Sequence, residues 1–489
     1  MDYINSNLNQ TVLKLKEIFK DADDIVYRTI ECGKTQKIKM CLVYVDGMTT
    51  KEAVSQFTVE TLMEYFDITN FEKNSEKELD EIVSLTSIAT TEISSVDTIS
   101  TAVNKILSGE TMLFIDGCTK AIMISSRGWP MRGISEPVAE TLIRGPRDGF
   151  NETLKVNITL IRRRIKDPKL KVKYMQIGTK SKTDIAIMYM EDKVNKQVLK
   201  ELQNRLNKID IEAILESSYI EELIEDDNYS PFPQIENTQR PDAAASAIYE
   251  GRVVIGVDNT PQVLLVPAIM TVFMQSSEDY YERWIPACMI RIVRYLALPI
   301  TVLLPALYVA ITTFHPNMLP TELALYVAAS RAKVPFPAWF EATLLEIVME
   351  LVREAGMRIV GPIGSTIGIV GGLVIGQASV EAGLISPLVI IIVALTTISS
   401  FAIPSYNFST SLRILRFAFI ILAAMLGLFG VALGICILLT HLCSLKSMGV
   451  PYMTPFSNFV ENKSDMKDTI VRHRITNLVH KPEYLRRKK

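Results

Sequence analysis

The chain has 489 residues, with 52 Lys+Arg against 54 Asp+Glu and a formal net charge of −2, which argues against a dedicated nucleic-acid binder. Six Cys in this length make no disulfide scaffold, and four His leave little room for a zinc enzyme. The mean hydropathy of +0.21 is high for a purely soluble enzyme and averages two unlike halves, because charges are frequent through Asp258 and sparse from there to 445.

The first residues, Met1-Asp2-Tyr3-Ile4-Asn5, lack the basic and then apolar pattern of a secretory leader, so the N-terminal half is expected to stay in the cytoplasm. Gly33-Lys34-Thr35 imitates the end of a phosphate-binding loop, but Arg28 stands where its first glycine is required. Residues 40–45 (Met-Cys-Leu-Val-Tyr-Val) read as a buried strand ended by Asp46-Gly47, with a helical stretch over 51–65. Residues 111–115 and 121–125 read as a hairpin around Asp116-Gly117. The strand-then-helix pattern recurs at 184–190 and 194–206, where Leu199, Leu202 and Leu206 keep helical spacing. Two such passes predict two related α/β subdomains, 1–130 and 131–245. No G-x-G-x-x-G follows a strand, and there is no H-E-x-x-H or G-x-S-x-G. No enzyme activity, cofactor or metal site is expected.

A polar stretch over 126–152 stands out. Ser135 can cap a helix with Pro137 in its first turn, which places Glu136, Glu140 and Arg144 on one face. With Arg132 and Arg147 they form either a solvated face or a charged joint between subdomains or subunits. Arg162-Arg163-Arg164 follow on a second helix, as a solvated face by default or as a contact for anionic headgroups or acidic patches.

From 246 to 445 the chain reads as a helical membrane domain. Residues 295–321, 359–380, 382–412 and 417–445 contain no Asp, Glu, Lys or Arg. Each holds an apolar run near the ~20 residues that cross a bilayer: 296–314, 359–377, 384–403 and 417–439. The eleven-residue apolar stretch 263–273 reads as interfacial or re-entrant. The segment 446–489 reads as a basic cytoplasmic tail, with ten Lys/Arg against four Asp/Glu after Ser444. Four spans return it to the N-terminal side but place Arg413 and Arg416 outside, unless they snorkel or pair within the protein. Residues 339–354 are apolar except for a stripe of Glu346, Glu350 and Arg353/Glu354, with Glu341 off it. Three readings compete: an interfacial amphipathic helix, a carboxylate ring at a pore mouth, and buried pairs such as Glu350–Arg353. Gly364, Gly368, Gly372 and Gly376 recur every fourth residue and give one small-residue face. It suits a tight packing seam or a pore-side helix, on which Ile363, Ile367, Val370 and Val374 offer an apolar constriction if identical subunits surround an axis.

Several of these runs together resemble the A subunit of GerA-type spore germination receptors. They include Gly128-Trp129-Pro130, Glu136-Pro137, Arg144-Gly145-Pro146-Arg147-Asp148, Pro231-Phe232-Pro233-Gln234, Arg240-Pro241-Asp242 and Glu250-Gly251-Arg252. Pro335-Phe336-Pro337, Arg353-Glu354-Ala355-Gly356, Pro362-Ile363-Gly364, Val374-Ile375-Gly376-Gln377 and Ile403-Pro404-Ser405-Tyr406 continue the match. It covers roughly 110–440, with Val360 and Gly361 departing from the family pattern. The resemblance implies a non-enzymatic subunit of a nutrient-sensing complex in the inner membrane of bacterial spores. It implies a transporter-like B subunit and a lipoprotein C subunit as partners, nutrient binding mainly on B, and oligomerisation around an ion pathway. The alternative is a non-conducting scaffold, anchored in lipid, that assembles the receptor.

Overall fold

The computed structural model describes residues 2–32, 38–49, 93–128, 140, 142–358, 376–457 and 465–474, with residues 476 and 485. The chain forms two compact units. The first comprises Met1–Glu225, Ile235–Pro267 and Leu485–Lys489, and the second Asp226–Gln234 and Ala268–Tyr484.

The first unit is an α/β body with two sheets. Helix α1 (Leu8–Ile18) starts where the Asn7 side chain accepts from the amides of Asn9 and Gln10, and it buries Leu8, Thr11 and Leu15. Strands β1 (Ile25–Cys32), β2 (Ile38–Val45), β3 (Ile93–Val96), β4 (Thr111–Ile115) and β5 (Ala121–Ile124) form an antiparallel sheet ordered β1-β2-β4-β5-β3. Helix α2 (Ile99–Leu107) packs against β2, β4 and β5. A second antiparallel sheet uses β6 (Leu170–Ile177), β7 (Thr183–Met190), β8 (Glu236–Thr238), β9 (Val253–Val257) and β10 (Val263–Val266), ordered β6-β7-β9-β10-β8. Helices α3 (Leu154–Arg164), α4 (Lys196–Leu206), α5 (Ser217–Ile224) and α6 (Pro241–Glu250) belong to it, with α3 and α6 side by side over β7 and β9. The two sheets thread their five strands in the same relative order, each with one helix before the first strand and one between the third and fourth. The two strand-and-helix subdomains expected from the sequence are therefore a repeated topology. The expected helix over 51–65 and the 33–35 turn lie outside the described residues.

The subdomains are joined by polar contacts, one of them a buried ion pair. Arg162 and Asp24 are both fully buried, and the guanidinium donates to the two carboxylate oxygens at 2.6 and 2.8 Å. The Asp23 amide donates to the Val172 carbonyl at 2.9 Å, and Lys155 reaches Asp46 at 2.7 Å. Arg164 pairs with Asp148. Arg162 and Arg164 are thus fixed to partners rather than left on a solvated face.

Two boundaries differ from the sequence reading. The limit at 245 stops short of β9 and β10, which complete the second sheet. Residues 263–266, expected as part of an interfacial or re-entrant segment, are a strand hydrogen-bonded on both edges and buried throughout. A strand buried on both faces is a continuous apolar run, which at this length has the same pattern as a short apolar helix.

A pair of carboxylates on α5 and its cap titrate in opposite directions. Burial pushes the Glu221 carboxyl up to about 7, Glu225 and Glu216 adding to the rise while Asn237 opposes it. Burial also works against the charge of Glu216, but hydrogen bonds from Ser217, the Ser218 amide and Thr260 outweigh it and hold that carboxyl down at about 2. Between an unfolded value near 4.5 and about 7 the folded state holds the extra proton on Glu221, so its contribution falls as pH rises through that window. Glu221→Gln is expected to raise stability by about 1 kcal/mol at pH 8, after discounting for partial exposure, and to leave it unchanged at pH 4.5. Unfolding of the full-length protein at the two pH values measures this, and an equal effect at both would sink it.

The second unit is helical. After a short α7 (Glu278–Tyr281) come α8 (Trp284–Phe314), α9 (Thr321–Arg331), α10 (Ala338–Arg358), α11 (Pro387–Phe401) and α12 (Tyr406–Ser444). By length and composition α8 and α12 suffice to cross a membrane, and α11 is apolar but shorter. In place of a single straight span over 417–439, α12 is a hairpin. Its helical dihedrals break at Gly427 (φ 60°, ψ −142°), a region open to glycine. Gly434 then faces Phe419, and Phe232 lies 5.8 Å from Phe408 and 6.1 Å from His441. Residues 408 and 441 would be about 50 Å apart on a straight helix. The arms 406–426 and 428–444 therefore run antiparallel, with the tip against Phe314 of α8 and His315 just after it.

The nine residues 226–234 leave the first unit to pack in the second. Gln234 organises them, accepting from the Asp226 and Asp227 amides at 3.1 and 3.0 Å and donating to the Asp227 carbonyl at 2.6 Å. Phe232 is 2% exposed among Phe408, His441 and Tyr452. Ser230 hydrogen-bonds His441, and Ser411 donates to the Pro231 carbonyl.

Candidate functional site

The carboxylates expected on 339–354 lie on α10, and the structure gives each an arginine partner. Glu341 is fully buried, Arg331 of α9 lies 3.4 Å away, and the Ser386 amide, which caps α11, donates to Glu341 Oε2 at 3.0 Å. Glu346 pairs with Arg416 on the first arm of α12, both side chains 1% exposed. Glu350 takes Arg413 at 2.9 Å and Arg353 at 3.4 Å. Arg353 also donates to Ser400 Oγ on α11 at 3.1 Å. These pairs tie α10 to α9, α11 and α12.

Arg416 has a second task dictated by the sequence of α8. Pro305 has no N–H, so the Thr301 carbonyl four residues earlier loses its helical donor. Arg416 Nε supplies one, at 2.8 Å. A single guanidinium thus satisfies a buried carboxylate and the gap that proline opens in a neighbouring helix, both costly to leave unmet away from water. Arg413 and Arg416, which the sequence placed awkwardly before the last span, pair within the protein.

A second charged cluster lies at the start of α8. Asp279 accepts from Arg291 at 2.9 Å and Arg294 at 2.8 Å, and Asp468 from the tail segment meets Arg291 at 2.6 Å and the Tyr280 hydroxyl at 2.7 Å. Arg472 donates to the Glu282 carbonyl at 2.9 Å. The charged tail residues 465–474 therefore cover the base of α8.

The other residues singled out from the sequence are more dispersed. Glu140 anchors the turn before α6, accepting from Thr238 Oγ1 at 2.7 Å and the Gln239 amide at 3.2 Å while its carbonyl receives Arg240. Burial raises its carboxyl above the usual range, and those two hydrogen bonds oppose the rise. Arg144 and Arg147 are exposed in a non-helical stretch over 142–149, where Gly145-Pro146 interrupts the expected helix. Arg132 and Glu136 lie outside the described residues, as do Gly364, Gly368, Val370, Gly372 and Val374. Gly376 begins the described helical segment after them, and a Cβ there would meet Ile390 at 4.0 Å, ordinary contact.

Sequence reasoning missed Arg331, Thr301, Ser386 and Ser400. One signal was available: Arg413 and Arg416 sit one turn apart, as Glu346 and Glu350 do, so two helices carry complementary stripes.

Comparison with known proteins places this arrangement. The family model described as Bacillus/Clostridium GerA spore germination protein matches residues 13–484. The chain is 41% identical over 469 residues to spore germination protein KA of Bacillus subtilis (strain 168), covering 96% of this chain and 85% of that protein. It is 38% identical over 485 residues to spore germination protein GerLA of Bacillus cereus, covering 99% and 97%. An uncharacterized membrane protein of B. subtilis, YfkQ, is 41% identical over 471 residues, covering 96% and 89%. The crystal structure of the N-terminal domain of the A subunit of the Bacillus megaterium germinant receptor GerK3 aligns at 31% identity with a TM-score of 0.44, over 55% of this chain and 98% of that one. The breadth of the match, from the first helix to the tail, shows that this chain belongs to the GerA family of spore germination proteins.

Proposed function

We propose that this chain is the A-type membrane subunit of a nutrient germinant receptor that triggers bacterial spore germination. Its helical unit lies in the inner membrane of the spore, with the strand-bearing unit and the tail on the core side. Copies assemble into a homo-oligomer around an ion-conducting pathway, which opens when a transporter-like B subunit binds nutrient. A lipoprotein C subunit completes the complex. The glycine face of Gly364, Gly368, Gly372 and Gly376 packs the copies together, with Val370 and Val374 as the apolar constriction.

One observation supports this reading above others: the helical unit is apolar outside and charged inside. Ile391, Leu395, Ile398 and Phe401 of α11 and Ile414, Ile421, Met425 and Phe429 of α12 are exposed, while Glu341, Glu346, Arg413 and Arg416 are buried. Water-soluble proteins show the reverse distribution, whereas charges within membrane helices face an interior or a pathway.

The test is ion flux from liposomes holding the full chain, alone and with its B and C partners. Flux is expected with the partners and nutrient present, and Gly372→Leu should suppress it at unchanged protein level. Vesicles that stay sealed under every condition, while the chain still captures B and C, would establish the scaffold reading instead.

A further inference from the structure

The charges in the cluster that joins α10 to α12 do not balance. Among the described residues, Arg353, Arg413 and Arg416 face Glu346 and Glu350. The neighbouring stretch 359–375 contains no ionisable side chain. A guanidinium does not deprotonate in proteins, so the cluster cannot become neutral by releasing a proton. The surplus charge falls on Arg353. Glu346 is committed to Arg416, and the nearer partner of Glu350 is Arg413, at 2.9 Å. Arg353 keeps a 3.4 Å contact with Glu350, the Ser400 hydroxyl, and the ring of Phe401 at 4.8 Å, with its side chain 10% exposed.

The unmet hydrogen bonds point the same way. Arg353 Nε, Arg413 Nε and Arg416 Nη2 are buried donors without a hydrogen-bond partner, and so is the hydroxyl of Thr397. Thr397 lies one turn before Ser400, whose hydroxyl donates to the Thr397 carbonyl at 2.7 Å. Of the carboxylate oxygens in the cluster, Glu346 Oε1 is without a partner. One excess positive charge together with an excess of buried donors is the chemistry of an anion receptor.

We propose that Arg353, with Arg413 of α12 and the hydroxyl of Thr397 of α11, binds one small monovalent anion, either a halide or the carboxylate of a small organic acid. The anion completes the charge balance of the cluster that ties α10, α11 and α12. The inference stands whether or not the chain conducts ions.

The experiment is thermal unfolding of the full-length protein in detergent, with chloride replacing the bulky anion gluconate at constant ionic strength. The unfolding temperature is expected to rise with chloride and to saturate. A parallel acetate titration that saturates identifies a site accepting carboxylates, and one that does nothing identifies a halide site. Arg353→Gln removes the surplus charge and is expected to abolish the chloride dependence while unfolding in gluconate no lower than the unaltered protein. A merely structural arginine would instead lower stability equally in both salts. Thr397→Val keeps charge and shape and should raise the half-saturating chloride concentration by about tenfold. An unfolding temperature indifferent to chloride, or chloride dependence unchanged in Arg353→Gln, overturns the proposal. If Arg353→Gln fails to fold, an unchanged chloride midpoint in Thr397→Val overturns it as well.

Discussion

Arg416→Ala is expected to destabilise the helical unit by about 3–5 kcal/mol, because it strands the buried Glu346 carboxylate without a counter-charge. Denaturant unfolding of the full-length protein in detergent measures the loss. Part of it belongs to the Thr301 carbonyl, which Arg416 serves in place of the N–H that Pro305 lacks. The two parts separate in a double-mutant cycle. Pro305→Ala restores a backbone donor to Thr301, so in the Arg416→Ala background it should recover about 1 kcal/mol beyond its effect in the unaltered protein. Arg416→Lys keeps the charge but has one compact head in place of a planar fork, and should fall between. If Pro305→Ala acts identically in both backgrounds, Arg416 does not substitute for the missing amide.

Alanine at Gly430 is expected to be as damaging, by about 3 kcal/mol or more, for a steric reason. Its Cβ would run into the Leu422 carbonyl and crowd Leu426, so the arms of α12 must separate. At Gly427 two effects add: a Cβ would sit 3.0 Å from His315 and 3.1 Å from Phe314, and φ of +60° with ψ of −142° is unfavourable for any other residue. Gly449 has φ of +80° but nothing within 4 Å, so Gly449→Ala carries backbone strain alone, about 1 kcal/mol. Comparing the three variants by unfolding isolates the hairpin contact. Equal losses at Gly430 and Gly449 would show that the arms are not in close contact.

What could be read from the sequence depended on whether the signal was local. The strands at 40–45, 111–115, 121–124 and 184–190 were legible because each apolar run is bounded by turn residues such as Asp46-Gly47 and Asp116-Gly117. Strands β9 and β10 were not, since fully buried strands lose their period of two and these adjoin an apolar half. The reversal at Gly427 was hidden for a related reason. Gly427, Gly430 and Gly434 in an apolar run read equally as a packing face on one helix, and hydropathy carries no direction. The expected helix through Glu140 and Arg144 rested on a cap at Ser135 that lies outside the described residues, and its described part, 140 and 142–144, is non-helical just before Gly145-Pro146. In the charged cluster, Glu346 and Glu350 stood out because carboxylates are rare in such runs. Their partners Arg413 and Arg416 lie more than sixty positions away in the chain, and only the fold brings them together.

The path of residues 226–267 bears on how such proteins can recombine. Because 226–234 is built into the helical body and 235–267 returns to complete a sheet, no single crossover between two homologous genes in this interval exchanges one body intact. A junction at 225 gives the recipient sheet three foreign strands, and a junction at 267 gives the foreign helices a native Phe232 plug. Clean exchange needs four junctions, at 225, 234, 267 and 484, so hybrids made at one site should inherit mismatched seams.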